Sequence, residues 1–383
     1  MINNNLCILY SGSTYAEHSG GLHRTFNIAK LATDMFSQVS ILSVDEKNIY
    51  KNEISGIRLL QEKKYHSTFD KLKYYYEGTF SHNFSLKTPD LNTYKNNQTL
   101  FQVETPYFYY RLKEDNINKF ILNEHNVYWE FEQNPVFNVK DFAFNKLASK
   151  RNKSIEINAL KIATHVLACS ERDARILIDE VPDVENKITV IPNCVNFREY
   201  QSFQNTNLND RDESELFTIL FIGLLTYPPN RDAVKIICSQ IAPCFEKDVQ
   251  FLIIGKNPPN VSKPPNVKFL GYVRDVRGYI QNSDICIAPL RYGSGTRLKI
   301  LEYMAMGKPV VSTSKGAEGI DYTNYQDIII EDNFTEFSGR INDLLQNRAQ
   351  REKLGKNAQL LIQQKYDWEI YRKPLHDVYE ACL

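Results

Sequence analysis

The chain has 383 residues, of which 42% are hydrophobic and 24% charged, a balance typical of a folded globular protein with two or three domains. Its 46 basic residues equal its 46 acidic ones. The overall charge therefore excludes a strongly basic nucleic-acid-binding protein and gives no reason to expect an anionic membrane as an obligatory partner.

Short apolar, β-branched runs alternate with longer segments that have apolar residues at three- and four-residue spacing, for example 22–35 and 233–245. In the first half, strands are predicted at 6–10, 38–44, 56–60, 99–104, 119–124, 164–169 and 188–191. In the second half, strands are predicted at 217–222, 249–254, 266–270, 284–288, 309–313 and 327–331. This alternation predicts the α/β class, with parallel sheets and crossover helices.

Two segments differ from the rest in composition. Residues 63–96 are basic and rich in aromatic residues, and two interpretations are open: a helix and loop that cover the first domain, or an insertion that contacts the acceptor or a membrane. Residues 199–215 are polar, rich in Asn and Asp, and without periodicity. We interpret 199–215 as a linker between two domains.

No stretch of about 18 apolar residues is present, and residues 1–10 lack the features of a secretory signal. The seven cysteines are odd in number and scattered, without zinc-ligand spacing. Buried free thiols are therefore expected, rather than disulfides or a metal site. We expect a cytoplasmic protein that touches the inner face of a membrane peripherally at most.

The most informative segment is 290–313, which follows a predicted buried strand. Gly293 and Gly295 let the backbone approach a ligand closely, and either Ser294 or Thr296 is expected to cap the helix that follows. That helix is predicted at about 297–306. Gly307 ends it in a left-handed conformation, before the next strand.

A glycine-rich turn that opens a helix forms an anion site, because free N–H groups and the positive end of the helix dipole point to one place. Arg297 and Lys299 add positive charge there, as needed to hold a diphosphate. Glu302 lies one turn deeper, where a carboxylate can accept two ribose hydroxyls. Spacing alone leaves an alternative open: a capped surface helix with a Lys299–Glu302 ion pair.

Segment 293–313 resembles the donor-binding signature of the retaining glycosyltransferases of group 1 (family 4 type), which have the GT-B fold. Further segments resemble that family in its order along nearly the whole chain: Gly20-Gly21-Leu22, Glu124-His125-Asn126-Val127, Ser170-Glu171, 191–195, 221–223, 252–255, 269–273 and 316–319. Each segment alone is weakly specific, but their shared order favours the donor site over the surface helix.

The resemblance implies two facing Rossmann-like domains with an interdomain cleft, at 1–198 on the acceptor side and 216–365 on the nucleotide-sugar side. It also implies that the C-terminal segment 366–383, helical at about 367–380, crosses back to the first domain. Ligand is expected at the carboxyl ends of the strands.

The resemblance also implies roles for individual residues. Arg297 and Lys299 bind the diphosphate, and Glu302 binds the ribose. His125 contacts the transferred sugar, so the catalytic set is His125, Arg297 and Lys299. The implied donor-binding residues are Gly20, Gly21, Gly223, Gly271, Tyr272, Val273, Ser294, Gly295, Thr296 and Glu302. Ser170 is assigned a structural role as a helix cap with Asp173.

Two departures from the family pattern concern the sugar and the phosphates. The family commonly has two glutamates separated by seven residues. At the position of the first glutamate this chain has Ser294. The family also commonly has Arg after the glycine that corresponds to Gly223, where this chain has Leu224. Phosphate binding then depends more on Arg297 and Lys299, with Arg231 as a candidate substitute.

The resemblance implies transfer of a sugar from a nucleotide-diphosphate donor to a glycan, lipid-linked or other hydroxyl acceptor, with retention and without a metal or cofactor. Two alternatives share the fold. One is a sugar-nucleotide epimerase or hydrolase, which needs no acceptor. The other is a catalytically inert partner subunit.

Overall fold

The computed structural model describes residues 2–10, 20–45, 50–63, 91, 94–95, 98–132, 142–206, 216–293 and 295–383. The chain divides into two compact units. The N-terminal unit comprises Met1–Pro192 together with Tyr371–Leu383, and the C-terminal unit comprises Asn193–Ile370. The residues of the expected acceptor or membrane insertion lie mostly outside the described part, including Tyr74, Tyr75 and Tyr76.

The N-terminal unit is built on a sheet with strand order β3-β4-β2-β1-β5-β6-β7-β8. Its strands are β1 Ile2–Tyr10, β2 Phe36–Asp45, β3 Tyr50–Ile54, β4 Ile57–Lys63, β5 Thr99–Val103, β6 Phe120–Asn123, β7 His165–Ala168 and β8 Ile188–Val190. All neighbouring strands are parallel except β3 and β4. The seven strands predicted in this half are confirmed.

Strand β3 was not predicted, and it makes this sheet mixed rather than purely parallel. Its sequence, Tyr-Lys-Asn-Glu-Ile, is mostly polar, because β3 lies at the edge of the sheet and pairs on one side only. Ser55 and Gly56 connect it to β4 with φ values of 53° and 76°. Two left-handed residues in a two-residue connection make the tight hairpin turn that suits twisted antiparallel strands.

The described part of the N-terminal unit contains six α-helices. They are α1 Gly20–Ala32, α2 Tyr109–Glu114, α3 Tyr128–Glu132, α4 Phe142–Ile162, α5 Glu171–Glu180 and, at the end of the chain, a helix Arg372–Cys382. Helix α5 begins as predicted, because the Ser170 hydroxyl accepts the N–H of Asp173 at 3.1 Å.

The C-terminal unit contains a parallel sheet with strand order β11-β10-β9-β12-β13-β14. Its strands are β9 Phe217–Ile222, β10 Val249–Ile254, β11 Val267–Gly271, β12 Ile285–Ala288, β13 Val310–Ser312 and β14 Ile329–Ile330. All six strands predicted in this half are confirmed. The central strands are buried on both faces, as apolar runs of this kind predict.

The helices of the C-terminal unit are α6 Phe197–Thr206, α7 Pro228–Ile236, α8 Arg277–Gln281, α9 Leu298–Ala305, α10 Phe334–Gln346 and α11 Arg348–Lys365. A π-helical segment, Ile237–Ile241, continues α7. Because the helices are numbered in chain order, the final helix Arg372–Cys382 is α12.

Helix α6 corrects the interpretation of 199–215 as a linker. Phe197 is part of the buried core of the C-terminal unit, and Tyr200 and Phe203 pack against that core. These aromatic residues recur at intervals of three and give an otherwise polar segment one apolar face. The remaining residues of the expected linker, 207–215, lie outside the described residues.

The last helix packs within the N-terminal unit. Leu375 and Tyr379 are fully buried, and the Tyr379 ring meets Phe36 edge to face with centroids 5.2 Å apart. His376 Nε2 lies 2.9 Å from the carbonyl oxygen of Leu31 at the end of α1. Helix α12 thus completes the core beside α1 and β2.

The seven cysteines are all free, and all but Cys244 are buried. This confirms the prediction of buried thiols. Burial raises the pKa of Cys7 and Cys286 to about 12, so both are protonated at neutral pH. Among the described helices, none is both long enough and apolar enough to cross a membrane.

Candidate functional site

The predicted phosphate site lies in the C-terminal unit, where β12 leads through a glycine-rich loop into α9. Gly293 and Gly295 have φ values of 113° and 75°, in a region that L-residues with side chains rarely adopt. A Cβ at Gly293 would lie only 2.6 Å from an Arg297 guanidinium nitrogen. The conformation therefore favours glycine at 293, and a side chain there would also displace the Arg297 guanidinium. Ser294 lies outside the described residues.

Helix α9 begins at Leu298, with Arg297 as its N-cap residue in an extended conformation. The prediction that Ser294 or Thr296 supplies the cap is wrong, because neither occupies that position. Arg297 makes no capping hydrogen bond with its side chain. Its guanidinium instead donates to the carbonyl oxygen of Gly295 at 3.0 Å, which folds the arginine back over the loop. The helix ends as predicted, at Gly307 with φ 62°.

Lys299 lies in the first turn of α9 and is half-buried. Nζ donates to Asn230 Oδ1 at 2.7 Å and lies 4.2 Å from the centroid of the Phe221 ring. Burial, and secondarily the positive charge of Arg297, lower the pKa of Lys299 to about 7. The lysine therefore has both neutral and charged forms near neutral pH.

Gly223, at the end of β9, makes room for this arrangement. A Cβ there would lie 2.8 Å from Lys299 Nζ and 2.8 Å from the Asn230 side-chain amide. Asn230 is fixed in turn by its donation to the carbonyl oxygen of Leu224 at 2.9 Å. The residue of α7 that contacts Lys299 is thus Asn230, whereas Arg231 is exposed.

Arg297 is the second cationic residue at this end of α9. Burial lowers its pKa, while the nearby Tyr227 and Glu318 act in the opposite direction. A guanidinium keeps its charge even with a lowered pKa. Thr296 packs against the next loop, since a Cβ at Gly319 would lie 2.8 Å from the Thr296 hydroxyl.

Glu302 lies one turn further along α9, with its carboxylate pointing toward α6. Tyr200 donates a hydrogen bond to Glu302 Oε1 at 3.2 Å. Burial raises the pKa of Glu302 to about 7, and the Tyr200 hydroxyl and the charge of Lys299 limit that rise. Lys299 pairs with Asn230, so the Lys299–Glu302 ion pair of the alternative reading is not what orders this helix.

Three glycines lie side by side at the carboxyl ends of β11, β10 and β9. The N–H of Gly255 donates to the carbonyl oxygen of Gly271 at 2.8 Å, and a Cβ on Gly255 would lie 2.0 Å from the carbonyl oxygen of Gly223. Tyr272 follows with a 43% exposed side chain, and Lys256 Nζ lies 4.2 Å from its ring centroid. Val273 packs against the core. Gly255 thus lies between Gly271, predicted to bind the nucleobase, and Gly223, which lies beside Lys299.

The N-terminal unit contains the other predicted residues, Gly20, Gly21 and His125. Helix α1 begins at Gly20, and His125 follows β6. The His125 ring lies over Gly21, where a Cβ would be 3.1 Å from Nδ1. His125 Nε2 lies 2.7 Å from Glu104 Oε2.

Glu104 is a buried carboxylate that sequence reasoning missed. It accepts hydrogen bonds from Thr25 Oγ1 at 2.7 Å and Asn123 Nδ2 at 2.8 Å, and from Gln102 Nε2 at 2.7 Å. Burial acts to raise the pKa of Glu104, but His125, Gln102 and Thr25 outweigh burial and hold it below the usual value.

A buried arginine supports this network. Arg24 donates through two nitrogens to Asn123 Oδ1, at 3.1 and 2.8 Å, and through a third to the carbonyl oxygen of Ile191 at 2.6 Å. Asn123 thus lies between the guanidinium of Arg24 and the carboxylate of Glu104 and bridges their opposite charges.

Three contact residues were missed for different reasons. Glu104 lies at the carboxyl end of a predicted strand. Ligands bind at the carboxyl ends of parallel strands, so its position could have marked Glu104 as a candidate site residue. Tyr200 lay in a segment interpreted as linker. Asn230 follows two prolines that start α7, and nothing in its local sequence indicates a lysine partner 69 residues later.

Comparison with known proteins finds a similar family for part of the C-terminal unit. Residues 217–347 match the sequence model of the family described as glycosyl transferases group 1. The matched residues lie within the C-terminal unit. The chain is 24% identical over 249 residues to the capsular polysaccharide biosynthesis glycosyltransferase CapM of Staphylococcus aureus. The match covers 59% of the chain and 63% of CapM, just under two thirds of that relative's length.

Solved structures resemble the chain in fold over nearly its whole length. Sucrose-phosphate synthase of Thermosynechococcus elongatus superposes with a TM-score of 0.72 at 14% identity, over 99% of this chain and 98% of that one. Anabaena HepE in complex with UDP-glucose superposes with a TM-score of 0.68 at 14% identity, over 99% and 100%. Together with the two α/β units, these neighbours show that the fold is GT-B, as predicted.

Proposed function

We propose that this protein is a retaining glycosyltransferase that moves a sugar from a nucleoside-diphosphate sugar to a hydroxyl of a glycan or lipid-linked acceptor. The observation that carries the proposal is the pair of cations at the start of α9. Lys299 is held against Asn230 beside Gly223, and Arg297 lies next to it over the loop. The relative CapM, named for capsular polysaccharide biosynthesis, supports a role in polysaccharide assembly.

The chemistry follows from where the charge is needed. When the bond between the sugar carbon and the phosphate oxygen breaks, negative charge develops on the diphosphate. Lys299, Arg297 and the N-terminus of α9 stabilise that charge. A bound diphosphate also favours the charged form of Lys299, whose pKa of about 7 leaves it partly neutral without ligand.

The other predicted residues orient the donor. Glu302, held by Tyr200, accepts hydrogen bonds from the ribose hydroxyls. The exposed backbone around Tyr272 and Val273 receives the base. Retention follows if the acceptor oxygen attacks from the leaving-group side. Its bond to the sugar carbon then forms as the phosphate bond breaks, and its proton passes to the departing phosphate oxygen. We propose that this reaction uses no metal and no resident cofactor.

A calorimetric screen with UDP, GDP and ADP, followed by transfer assays with their sugars, tests the proposal. Lys299→Ala and Arg297→Ala are each expected to weaken diphosphate binding at least tenfold, since each removes a charged hydrogen-bond donor. Lys353→Ala removes an exposed lysine from α11 and serves as the matched control.

The outcomes separate the candidate functions. Turnover within a few-fold of wild type in both variants would show that the phosphate assignment is wrong. An epimerised or hydrolysed donor without acceptor would favour the epimerase or hydrolase, and no binding of any nucleoside diphosphate would favour an inert subunit. The anomeric configuration of the product, read by NMR, tests retention.

A further inference from the structure

His125 and Glu104 follow neighbouring parallel strands, β6 and β5, and meet at the carboxyl edge of the sheet. Their contact, 2.7 Å between Nε2 and Oε2, is a charge-assisted hydrogen bond, short and nearly sealed from water. The Glu104 side chain is 1% exposed and that of His125 is 12% exposed. An ionised carboxylate only accepts hydrogen bonds, so the imidazole proton must lie on Nε2.

Several neighbours fix the Glu104 carboxylate, so that it cannot rotate away from the ring. Thr25 and Asn123 donate to the same oxygen that His125 uses, and Gln102 donates to the other. Gln102 is oriented in turn by Tyr379 of α12, whose hydroxyl donates to Gln102 Oε1 at 2.8 Å. Each side-chain partner of Glu104 is a donor, which is the pattern expected around a permanently ionised group.

The opposite nitrogen of the ring lies over the start of α1. A Cβ at Gly21 would lie 3.1 Å from His125 Nδ1 and 3.7 Å from the Tyr10 hydroxyl. A Cβ at this position would crowd Nδ1, and glycine avoids that contact. A neutral imidazole with its proton on Nε2 presents Nδ1 as a hydrogen-bond acceptor, and a hydroxyl is the group that such an acceptor binds.

We propose that Glu104 is the positioning residue for His125: its carboxylate holds the ring proton on Nε2 and keeps Nδ1 over Gly21 to accept a hydroxyl of the sugar substrate. The role of the hydroxyl rests on the proposed glycosyl transfer, whereas the ring geometry does not. Gln102 and Tyr379 extend the same chain of hydrogen bonds to the C-terminal helix.

Nitrogen-15 NMR of protein labelled at histidine tests the geometry without any activity. Wild type is expected to show a downfield Nε2–H resonance that exchanges slowly with water, assigned by its loss in His125→Ala. In Glu104→Gln the shape is kept but the charge is lost, so that resonance moves upfield or disappears. Glu185→Gln, an exposed carboxylate of the same unit, is expected to leave it unchanged.

Kinetics then test the role. Glu104→Gln is expected to lower kcat for transfer roughly tenfold, because a charge-assisted hydrogen bond becomes a neutral one. Its affinity for the nucleoside diphosphate should stay at the wild-type value. A proton on Nδ1 in wild type, or an Nε2–H resonance unchanged in Glu104→Gln, would overturn the proposal. If the resonance behaves as expected but no nucleoside diphosphate binds, the proposed transfer fails and the Glu104–His125 pairing stands.

Discussion

Lys299 and Glu302 lie one turn apart on α9, and burial moves their two pKa values toward each other, to about 7 in both cases. For the lysine this is a lowering from 10.5, and for the glutamate a rise from 4.5. Both shifts come mainly from desolvation, which disfavours a charge of either sign. The proposed functions of the two residues require both to be charged.

We therefore expect nucleoside-diphosphate affinity to be greatest near pH 7 and to fall on both sides. Above pH 7, Lys299 loses its proton and its charge, and below pH 7, Glu302 gains a proton and loses its charge. Calorimetry between pH 5.5 and pH 9 measures the profile, with a loss of at most about tenfold per pH unit for each residue. Glu302→Gln should remove the fall in affinity below pH 7 and keep the fall above pH 7. If affinity still falls below pH 7 in this variant, a group other than Glu302 causes that fall.

Gly223→Ala tests the space that the glycine leaves for the lysine. The new Cβ would lie 2.8 Å from both Lys299 Nζ and the Asn230 amide, so both side chains must move. We expect diphosphate affinity to fall at least tenfold and stability to fall by about 1–3 kcal/mol, as for other overpacked sites.

Gly339→Ala is the matched control for that substitution, because nothing lies within 4 Å of its Cβ and it is inside α10. It should raise stability by about 0.5–1 kcal/mol and leave binding unchanged. Equal binding in Gly223→Ala and wild type would show that Lys299 does not need its position beside Asn230.

At the scale of elements, helix α9 could be predicted from the sequence, whereas helix α6 could not. The bounds and end of α9 were predicted closely, because its apolar spacing and Gly307 are local features of the sequence. Helix α6 was missed, because only Phe197, Tyr200 and Phe203 mark its buried face in a polar segment. The pairing of Lys299 with Asn230 was also not predictable, since it joins elements that only the folded sheet brings together.

Tyr200→Phe tests whether α6 serves the site. The substitution removes the hydroxyl that donates to Glu302 and that lowers the pKa of its carboxyl. The pKa of Glu302 should therefore rise further, and the acidic fall in diphosphate affinity should begin at a higher pH than in wild type. Tyr279→Phe changes an exposed tyrosine of α8 and should leave the profile in place. If the pH profile of diphosphate affinity in Tyr200→Phe is identical to that of wild type, helix α6 contributes only packing and not the pKa of Glu302.

At the scale of the whole molecule, the fold class and nearly all of the strands could be read from the chain, because apolar runs and helical spacing are local. The division into units could not be predicted from periodicity, and the return of the last helix was expected only from the family resemblance. The division lies at 192 and 193, and the last 13 residues, 371–383, return to the N-terminal unit. Strand periodicity contains no information about such a return, which depends on the packing of α12 beside α1.

Deletion of 371–383 tests how far the N-terminal unit depends on that helix. Leu375 and Tyr379 are fully buried, and losing such side chains costs roughly 2–5 kcal/mol each. Hydrogen exchange should show faster opening in the N-terminal unit and unchanged protection in residues 216–365. Equal protection of the N-terminal unit in both proteins would mean that α12 contributes little to its stability.

The distribution of thiols gives the folded protein one natural labelling position. Six cysteines are buried, and only Cys244, on a short 3-10 turn after the π-helical segment, is exposed. A maleimide is therefore expected to modify a single site quickly in native buffer, and all seven sites in guanidinium. Counting modified thiols by mass spectrometry would then report the fraction of folded molecules directly, and a fluorophore could be attached to the C-terminal unit without engineering.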